Sequence, residues 1–183
     1  MDALELLLTR RSQPKLVAPA PSGKALENIL KAGTQVPDHA GLCPWRFIVC
    51  TGDGLNRLGE IYSDSARSND KPDSDINRAK QLPLRAPMVV VAIARYVEHE
   101  KVPRVEQIGS AACSVMAMQM AALAQGFNGM WRTGSYAHCE HVKTAFELEK
   151  EDEIVGYLYL GTPQFAAPTK PEKNLSDFVT YWN

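Results

Sequence analysis

Apolar residues at helical spacing predict two α-helices near the N-terminus. Asp2 can cap the first helix, which should end near Arg11 because Pro14 cannot continue a helix. Ser22 can cap the second helix, which should end near Gly33. The apolar positions that define the two helices are Leu4, Leu7 and Leu8, then Leu26, Ile29 and Leu30. The second of these apolar faces should be buried in the core.

The middle of the chain alternates predicted strands with predicted helices. Residues 44–50 form a loop that runs into a strand, and a helix follows from Asp53. Residues 63–75 are dominated by Ser, Asp, Asn and Lys, so we predict a mobile surface excursion there, followed by a short helix that ends before Pro83. The uninterrupted apolar run over residues 88–94 predicts a central strand that is buried on both faces.

A long uncharged segment, residues 109–125, lies within a helix that begins at Pro103 and ends at Gly126. This segment contains Ser and Gln and is rich in Ala and Met, so a helix buried within the protein is a better interpretation than a membrane span. Small residues recur along it every four positions, at Gly109, Cys113, Ala117 and Ala121. Such a stripe allows another helix to approach closely, and we assign it to a partner subunit. Packing within one chain is the alternative.

The remaining pattern completes a three-layer domain. It predicts a short strand around Met130, a helix over residues 140–147 and a final strand over residues 154–161. The order α-α-β-α-α-β-α-β-α-β is typical of an α+β or α/β domain with helices on both sides of a sheet. The length suits one such domain, so we treat residues 1–183 as a single domain.

The tail beyond Pro163 has no periodicity, but its end is aromatic. The aromatic residues of this end are Phe178, Tyr181 and Trp182. An unstructured tail seldom carries so much apolar area, so we expect this tail to pack onto another surface, such as that of a partner subunit.

The bulk composition argues against several classes of partner. The formal net charge is −1, so no overall field attracts nucleic acid or an anionic membrane, and an anionic ligand must be held by local charges. The N-terminus lacks the basic and apolar segments of a secretory signal, and the four cysteines form no Cys-x-x-Cys motif. We therefore expect a cytoplasmic protein with reduced thiols.

Two segments before the first strand carry side chains suited to ligand binding. Arg10, Arg11 and Ser12 combine two guanidinium groups with a hydroxyl, which suits a terminal phosphate. The alternative is that the two arginines only complement the C-terminus of the first helix. Residues 37–45 have proline near both ends and glycine inside, which is typical of a rigid loop that presents its backbone and His39 outward.

A third segment, residues 125–134, follows the long helix and contains three glycines. Glycine permits close approach of the backbone to a flat ligand. Trp131 offers a stacking surface and Arg132 a cation, and a cation near a flavin ring would stabilise its anionic reduced form.

Taken together, these motifs resemble the FMN-dependent nitroreductase family. In chain order they are Arg-Arg-Ser, Pro-x7-Trp, a small-residue helix ending in Ala-Gln-Gly-Phe, Gly-x-Trp-Arg-Thr-Gly and Tyr-Leu-Gly-Thr-Pro. No single motif is decisive, but their common order from about residue 2 to residue 163 is specific. The resemblance implies a nitroreductase-like α+β fold, with a mainly antiparallel sheet flanked by helices and the long helix at a dimer interface.

The resemblance also implies an activity. Members of the family are intertwined homodimers with two FMN sites at the interface. NADH or NADPH delivers hydride to the flavin and leaves before a small electron-poor acceptor, such as a nitroaromatic or a quinone, binds. The redox chemistry belongs to the cofactor, so no catalytic side chain is implied.

By position, the resemblance assigns residues to each part of the cofactors. The FMN phosphate would be bound by Arg10 and Ser12, with Arg11 beside them. The flavin would be reached from the other subunit by Gln35 and His39. It would be lined within the subunit by Trp131, Arg132 and Thr133. The nicotinamide would lie near Ala121, Ala122, Leu123, Ala124, Gln125 and Gly126.

Several positions depart from the family pattern. Gly41 and Cys43 stand where the family commonly has Asn and Gln, so the corresponding amide contacts to the flavin ring are missing. Pro14 stands where a basic residue often follows the serine, and Lys15 comes one position later. Larger members place basic residues after the last Gly-x-Pro motif, and Lys170 is the nearest basic residue here.

Other functions remain open on the same residues. A non-catalytic flavin-binding storage or sensory protein would keep the phosphate cluster without oxidising NAD(P)H, and the scaffold also supports dehalogenation or desaturation. Residues 138–141, His-Cys-Glu-His, do not favour a metal site, because neighbours on a helix cannot all face one ion. Cys43 lies near His39, but no orienting carboxylate motif accompanies this pair.

Overall fold

The computed structural model describes residues 2–166 and 171–182. Its helices are α1 (Ala3–Thr9), α2 (Gly23–Gly33), α3 (Asp53–Ser68), α4 (Asp73–Gln81), α5 (Arg104–Ala124) and α6 (Glu140–Ala145). Its strands are β1 (Leu16–Val17), β2 (Trp45–Thr51), β3 (Met88–Ala94), β4 (Asn128–Arg132) and β5 (Glu153–Pro163). All strand pairs are antiparallel.

β5 organises the sheet because it pairs with three other strands. β3 lies along one edge of β5 and β2 lies beyond β3. On the other edge, β4 pairs with residues 157–161 and β1 with residues 162–163. The chain that leads out of α1 therefore reaches the same sheet edge as the chain that leaves α5.

β3 shows why the domain has three layers. Every residue of this strand is buried, as its apolar run predicts. Val89, Val91 and Ile93 face a cluster built with α3, α4 and α6. Met88, Val90 and Ala92 face a second cluster built with α2 and α5. Alternate side chains of one strand thus pack against helices on both sides of the sheet.

The prediction of a mobile excursion over residues 63–75 is wrong. α3 continues to Ser68 and α4 begins at Asp73, so only a short connection separates them. Several small residues of this segment are buried rather than exposed, namely Ser63, Ser65 and Ala66. A Cβ atom on Gly59 would lie 2.4 Å from the carbonyl oxygen of Lys80, so the two helix backbones almost touch. The polar composition of residues 63–75 therefore reflects close packing as well as exposure.

Most of the other predicted elements are present, with small differences in their bounds. α1 and α2 follow Asp2 and Ser22, although only the Asp2 side chain makes capping hydrogen bonds, to the backbone N–H groups of Leu4 and Glu5 at 2.8 and 2.9 Å. The prediction omitted β1, because two residues are too short to show a pattern.

α5 is long and apolar enough to cross a membrane by length and composition alone. In this fold it is a core helix that packs against α2 and β3. Its buried apolar residues are Ala111, Val115, Met118 and Ala122. Of the predicted stripe of small residues, Gly109 and Cys113 are exposed and Ala117 is half-buried, whereas Ala121 packs partly buried against the core.

Two other apolar surfaces are exposed in the single chain. None of the residues of α1 is buried, and its apolar side chains Leu4, Leu7 and Leu8 all face solvent. The described part of the tail behaves in the same way, since Phe178, Tyr181 and Trp182 are exposed. The expectation that the tail packs onto another surface is not met within one chain.

Candidate functional site

The Arg-Arg-Ser segment is attached to the sheet at β4. The backbone N–H of Gln13 donates to the carbonyl oxygen of Gly129 at 3.0 Å. The buried Gln119 side chain of α5 donates to the same oxygen at 2.8 Å. Gln13 also donates from its side chain to the carbonyl oxygen of Phe165 at 2.7 Å. These bonds hold residues 10–12 close to the start of β4.

Within this segment the charged groups stay available to a ligand. Nη1 of Arg10 lies 3.5 Å from Oγ of Ser12, and Nη1 of Arg11 donates to the carbonyl oxygen of Arg10 at 2.7 Å. Nε of Arg11 is buried and has no hydrogen-bond partner among the described residues. A buried donor without a partner is costly, so this nitrogen favours a site that receives an acceptor.

The end of β4 presents the aromatic residue of the predicted site. Nε1 of Trp131 donates to the carbonyl oxygen of Val155 on β5 at 3.2 Å. This close contact requires glycine at position 156, because a Cβ atom there would lie 2.1 Å from Nε1 of Trp131. The indole therefore lies directly against the backbone of β5.

Arg132 and Thr133 continue from Trp131 on the other side of the strand. The guanidinium carbon of Arg132 lies 5.5 Å from the centre of the Tyr159 ring, within range of a cation–π contact. Nε of Arg132 is buried and also lacks a partner among the described residues. Thr133 is exposed at the end of the strand.

Two adjoining cavities meet at Thr133. The smaller, of about 380 Å³, is lined by Trp131, Arg132 and Arg85 together with buried tyrosines. The larger, of about 770 Å³, lies between α3, α4 and residues 133–141. The residues that line both are Leu82, Thr133, Gly134 and Tyr136. Three of the predicted flavin-contacting residues, Trp131, Arg132 and Thr133, thus border a continuous concave surface.

The sequence analysis missed one wall of this surface. α3 and α4 contribute polar and charged side chains to the larger cavity, namely Ser65, Asn69, Lys71, Asp75 and Arg78. They were missed because the segment was predicted to be a surface excursion. The helical spacing of Leu55, Leu58 and Tyr62, continued to Ala66, was the signal that could have extended α3 to this wall.

Stacked tyrosines line the smaller cavity, and one of them, Tyr136, also lines the larger. The rings of Tyr62 and Tyr136 are parallel, with centroids 4.3 Å apart, and Tyr157 meets Tyr62 edge-on at 5.4 Å. The Tyr157 hydroxyl donates to the carbonyl oxygen of Tyr136 at 2.9 Å. Burial raises the pKa of both Tyr62 and Tyr157 far above the ordinary value of tyrosine. Both hydroxyls are therefore neutral at physiological pH and provide shape and polarity rather than charge.

Gln35 and His39 do not line either cavity. Both are exposed, and they follow α2 on a loop before β2. Nδ1 of His39 lies 2.8 Å from Oε2 of Glu106 on α5. Within one chain, the structure does not bring these two residues together with residues 131–133.

The predicted nicotinamide segment lies at the C-terminal end of α5. Ala122 is fully buried, whereas Ala124 and Gly126 are exposed. Ala121, Leu123 and Gln125 are half-buried. The Gln125 side chain joins α5 to α2, since it accepts from Asn28 at 3.0 Å and donates to the carbonyl oxygen of Ala25 at 3.2 Å. This end of α5 is therefore anchored.

Two further candidates from the sequence are the His-Cys-Glu-His segment, residues 138–141, and Lys170. Residues 138–141 line the larger cavity, and the parts of the chain that are described contain no group of three or more His, Cys, Asp or Glu residues placed to hold a metal ion. Cys139 of this segment contacts Ser65, with Sγ 2.9 Å from Oγ. Lys170, the nearest basic residue after the last Gly-x-Pro motif, lies outside the described residues.

The fold identifies the class of protein. A nitroreductase-like family protein from Bacillus cereus has the same architecture, with a TM-score of 0.86 and 19% sequence identity over 100% of this chain and 96% of that chain. The model of the nitroreductase family matches residues 7–162. The chain therefore belongs to the nitroreductase family, and the predicted family and fold class are confirmed.

Two individual proteins show how similar this chain is to particular nitroreductases. The protein YdjA of Escherichia coli strain K12, provisionally named an NAD(P)H nitroreductase, is 48% identical over the whole length of both chains. A nitroreductase of Desulfovibrio desulfuricans solved in complex with FMN has a TM-score of 0.75 and 18% identity, over 100% of this chain and 98% of that chain.

Proposed function

We propose that this protein is an FMN-dependent oxidoreductase that passes electron pairs from NADH or NADPH to a small electron-poor acceptor, such as a nitroaromatic or a quinone. The observation that carries this proposal is the pair of buried Nε atoms in Arg11 and Arg132, which have no partner among the described residues. The segments that contain them are joined by the hydrogen bond from Gln13 to Gly129, and Arg132 lines the smaller cavity. Bound FMN offers acceptors for both, at its phosphate and at its ring carbonyls.

The residues fit the parts of FMN in order. Arg10 and Ser12 would bind the phosphate with charge-assisted hydrogen bonds, and Arg11 would neutralise it further. Trp131 and Thr133 would line the ring. The Gly156 backbone leaves room for Trp131 to remain flat against β5. The chain's task is thus to hold a planar ring at one edge of a rigid sheet.

Arg132 would tune the bound flavin. Bound FMN would supply the redox chemistry, which is hydride transfer from the nicotinamide and transfer of an electron pair to the acceptor. A partly buried guanidinium near the ring favours the anionic reduced form, because charge interactions are strong where water is excluded. The contact with Tyr159 holds this cation in place.

Positioning of the nicotinamide would supply the rest of the rate acceleration of hydride transfer. Residues 121–126 would lie beside the nicotinamide, with the end of α5 held by the bonds from Gln125 to α2. Hydride transfer needs a donor carbon at about 3–3.5 Å from its acceptor, and fixed geometry alone accounts for much of the acceleration. No proton-transferring side chain is required for this step.

A second copy of the chain would complete the site. In a homodimer, α1 and the stripe of small residues on α5 would lose the solvent exposure that they have in the single chain. Gln35 and His39 would then reach the flavin of the partner subunit. We place this dimer in the cytoplasm, with reduced cysteines and no nucleic acid or membrane partner.

An absorption spectrum tests the proposal first. The purified protein should be yellow, and anaerobic addition of NADH or NADPH should bleach the flavin band. A protein that stays colourless after incubation with FMN would refute the flavin assignment. A yellow protein that neither nicotinamide bleaches would instead be the non-catalytic flavin-binding protein. Steady-state rates with nitroaromatics, quinones and halogenated phenols would then identify the acceptor class.

A further inference from the structure

Glu106 contacts His39, one of the two loop residues that the proposed function places at the partner's flavin. Oε2 of Glu106 lies 2.8 Å from Nδ1 of His39, although the two residues are 67 positions apart. Among the described residues, Glu106 makes no other ion pair. The nearby Arg104 does not compete for Glu106, because it binds Glu153 at 2.7 Å.

The loop does not need this contact in order to keep its path. Oδ1 of Asp38 accepts from the backbone N–H of Leu42 at 3.2 Å, and Oδ2 accepts from that of Cys43 at 2.7 Å. The loop backbone is thus held by its own aspartate. What the contact between Glu106 and His39 adds is the orientation and protonation pattern of the imidazole ring.

We infer that Glu106 is a positioning residue that holds His39 as its Nδ1–H tautomer and presents Nε2 to FMN; this inference rests on the proposed function. An ionised carboxylate only accepts hydrogen bonds, so the proton of the contact must sit on Nδ1. In the neutral ring, Nε2 is then an acceptor. FMN offers donors for it at the ring N3–H and at the ribityl hydroxyls. Carboxylates orient histidines toward bound groups in the same way at metal sites.

The ring itself can be observed without FMN or turnover. In ¹⁵N-labelled apoprotein, long-range ¹H–¹⁵N spectra at a pH where His39 is neutral should show the Nδ1–H tautomer. Glu106→Ala should shift the ring toward Nε2–H, the form that an unconstrained imidazole prefers. Glu27→Ala is the matched control, because Glu27 pairs with Lys24 and Lys31 on the exposed face of α2. An unchanged tautomer in Glu106→Ala would overturn the inference.

FMN affinity tests whether the orientation matters. We expect Glu106→Ala to weaken FMN binding to the apoprotein by roughly two- to tenfold, the range of one hydrogen bond. In a His39→Ala background, Glu106→Ala should cause no further loss, because its effect passes through the imidazole. The Glu27→Ala control should bind FMN like wild type.

The remaining outcomes separate the two proposals. An equal loss of affinity with and without His39 would mean that Glu106 acts elsewhere, and an unchanged affinity in Glu106→Ala would show that the ring orientation has no role. Either result overturns the inference and leaves the FMN assignment intact. Failure of wild-type protein itself to bind FMN would overturn the proposed function, while the tautomer measurement would still report the contact.

Discussion

Gly156 sets how closely Trp131 can approach β5. Because glycine has no side chain, the indole nitrogen of Trp131 can lie close to the backbone here. A Cβ atom at this position would lie only 2.1 Å from Nε1. The same Cβ atom would lie 2.7 Å from the carbonyl oxygen of Arg132, so two residues of the proposed flavin site depend on this position. Packing at one glycine therefore connects stability with binding.

Gly156→Ala should lower both stability and FMN affinity. The added methyl group must displace Trp131 or bend β5, and overpacking of this kind costs about 1–3 kcal/mol of the free energy of unfolding. Urea denaturation and FMN titration measure the two effects. Gly54→Ala is the control, because the nearest atom to its added Cβ would be at 3.7 Å, an ordinary contact. Equal behaviour of the two variants would contradict the packing role of Gly156.

Also at the residue scale, Arg10 is the residue with which the proposed phosphate site can be tested. Arg10→Ala removes one charge-assisted hydrogen bond, worth about 1.5–3 kcal/mol, so FMN affinity should fall about ten- to a hundredfold. Flavin retention through gel filtration gives a first measure and fluorescence titration a second. Arg67→Ala is a control that removes an exposed guanidinium paired with Asp64 on α3. If Arg10→Ala retains its flavin like wild type, the phosphate is bound elsewhere.

At the scale of elements, Glu153 joins three of them. It opens β5 and binds Arg104 at the start of α5 at 2.7 Å and Lys143 of α6 at 3.2 Å. Burial pushes the pKa of Glu153 up, but the hydrogen bonds and charges of Arg104 and Lys143 outweigh it and hold this pKa below the ordinary value of 4.5. The charged carboxylate is therefore the form that the fold favours.

Because the fold lowers the pKa of Glu153, the free energy of unfolding should depend on pH. A lowered folded-state pKa contributes stability above the unfolded value, and that contribution is lost as the pH falls through the folded value. Glu153→Gln should therefore unfold more easily than wild type at neutral pH, by about 1 kcal/mol or more. The difference should shrink below the ordinary pKa of 4.5. Denaturation at a series of pH values measures it, and a constant difference would contradict the assignment.

The small-residue stripe of α5 leads us to a prediction about dimer formation. Cys113 is exposed in the single chain, and Cys113→Arg would place a long charged side chain where we propose that a partner helix packs. Light scattering should then report a one-chain mass for this variant and a two-chain mass for wild type. Asn56→Arg, on the exposed side of α3, should remain dimeric. A dimeric Cys113→Arg variant would place the interface on another surface.

For the whole molecule, binding should appear as thermal stability. FMN at about a hundred times its Kd adds about 2.7 kcal/mol to a state that binds it. For a chain of this size, this stabilisation corresponds to a rise in Tm of roughly 5–10 °C. Riboflavin, which lacks the phosphate, should raise Tm by much less at the same concentration. Equal shifts for the two flavins would show that the Arg-Arg-Ser segment does not hold a phosphate.

The whole-molecule view also shows what one chain leaves incomplete. The proposed site residues fall into two groups, one around Gly129 and one on the loop before β2. Within one chain these groups do not share a cavity. The exposed leucines of α1 and the aromatic residues of the tail lie outside both groups. Assembly of two chains is therefore part of the proposed function, because only a second copy can bring the loop to the flavin.

Local patterns along the sequence were sufficient to predict most of the helices and strands. The buried run of β3, the amphipathic spacing of α2 and the length of α5 are properties of neighbouring residues, so they could be recognised without the fold. The order of the motifs was likewise enough to identify the family. Of α3 and α4, only residues 63–75, at the end of α3 and the start of α4, were mispredicted, because small polar residues are common both on exposed loops and at close helix contacts.

The tertiary structure alone decided which distant residues meet. The bond between Gln13 and Gly129, the contact of Glu106 with His39 and the approach of Trp131 to Gly156 each join residues far apart in the chain. No local periodicity encodes such contacts, because they depend on how the layers stack and on the register of β4 against β5. The residue types of the proposed site were thus determined by the sequence, while its walls and anchors were determined by packing.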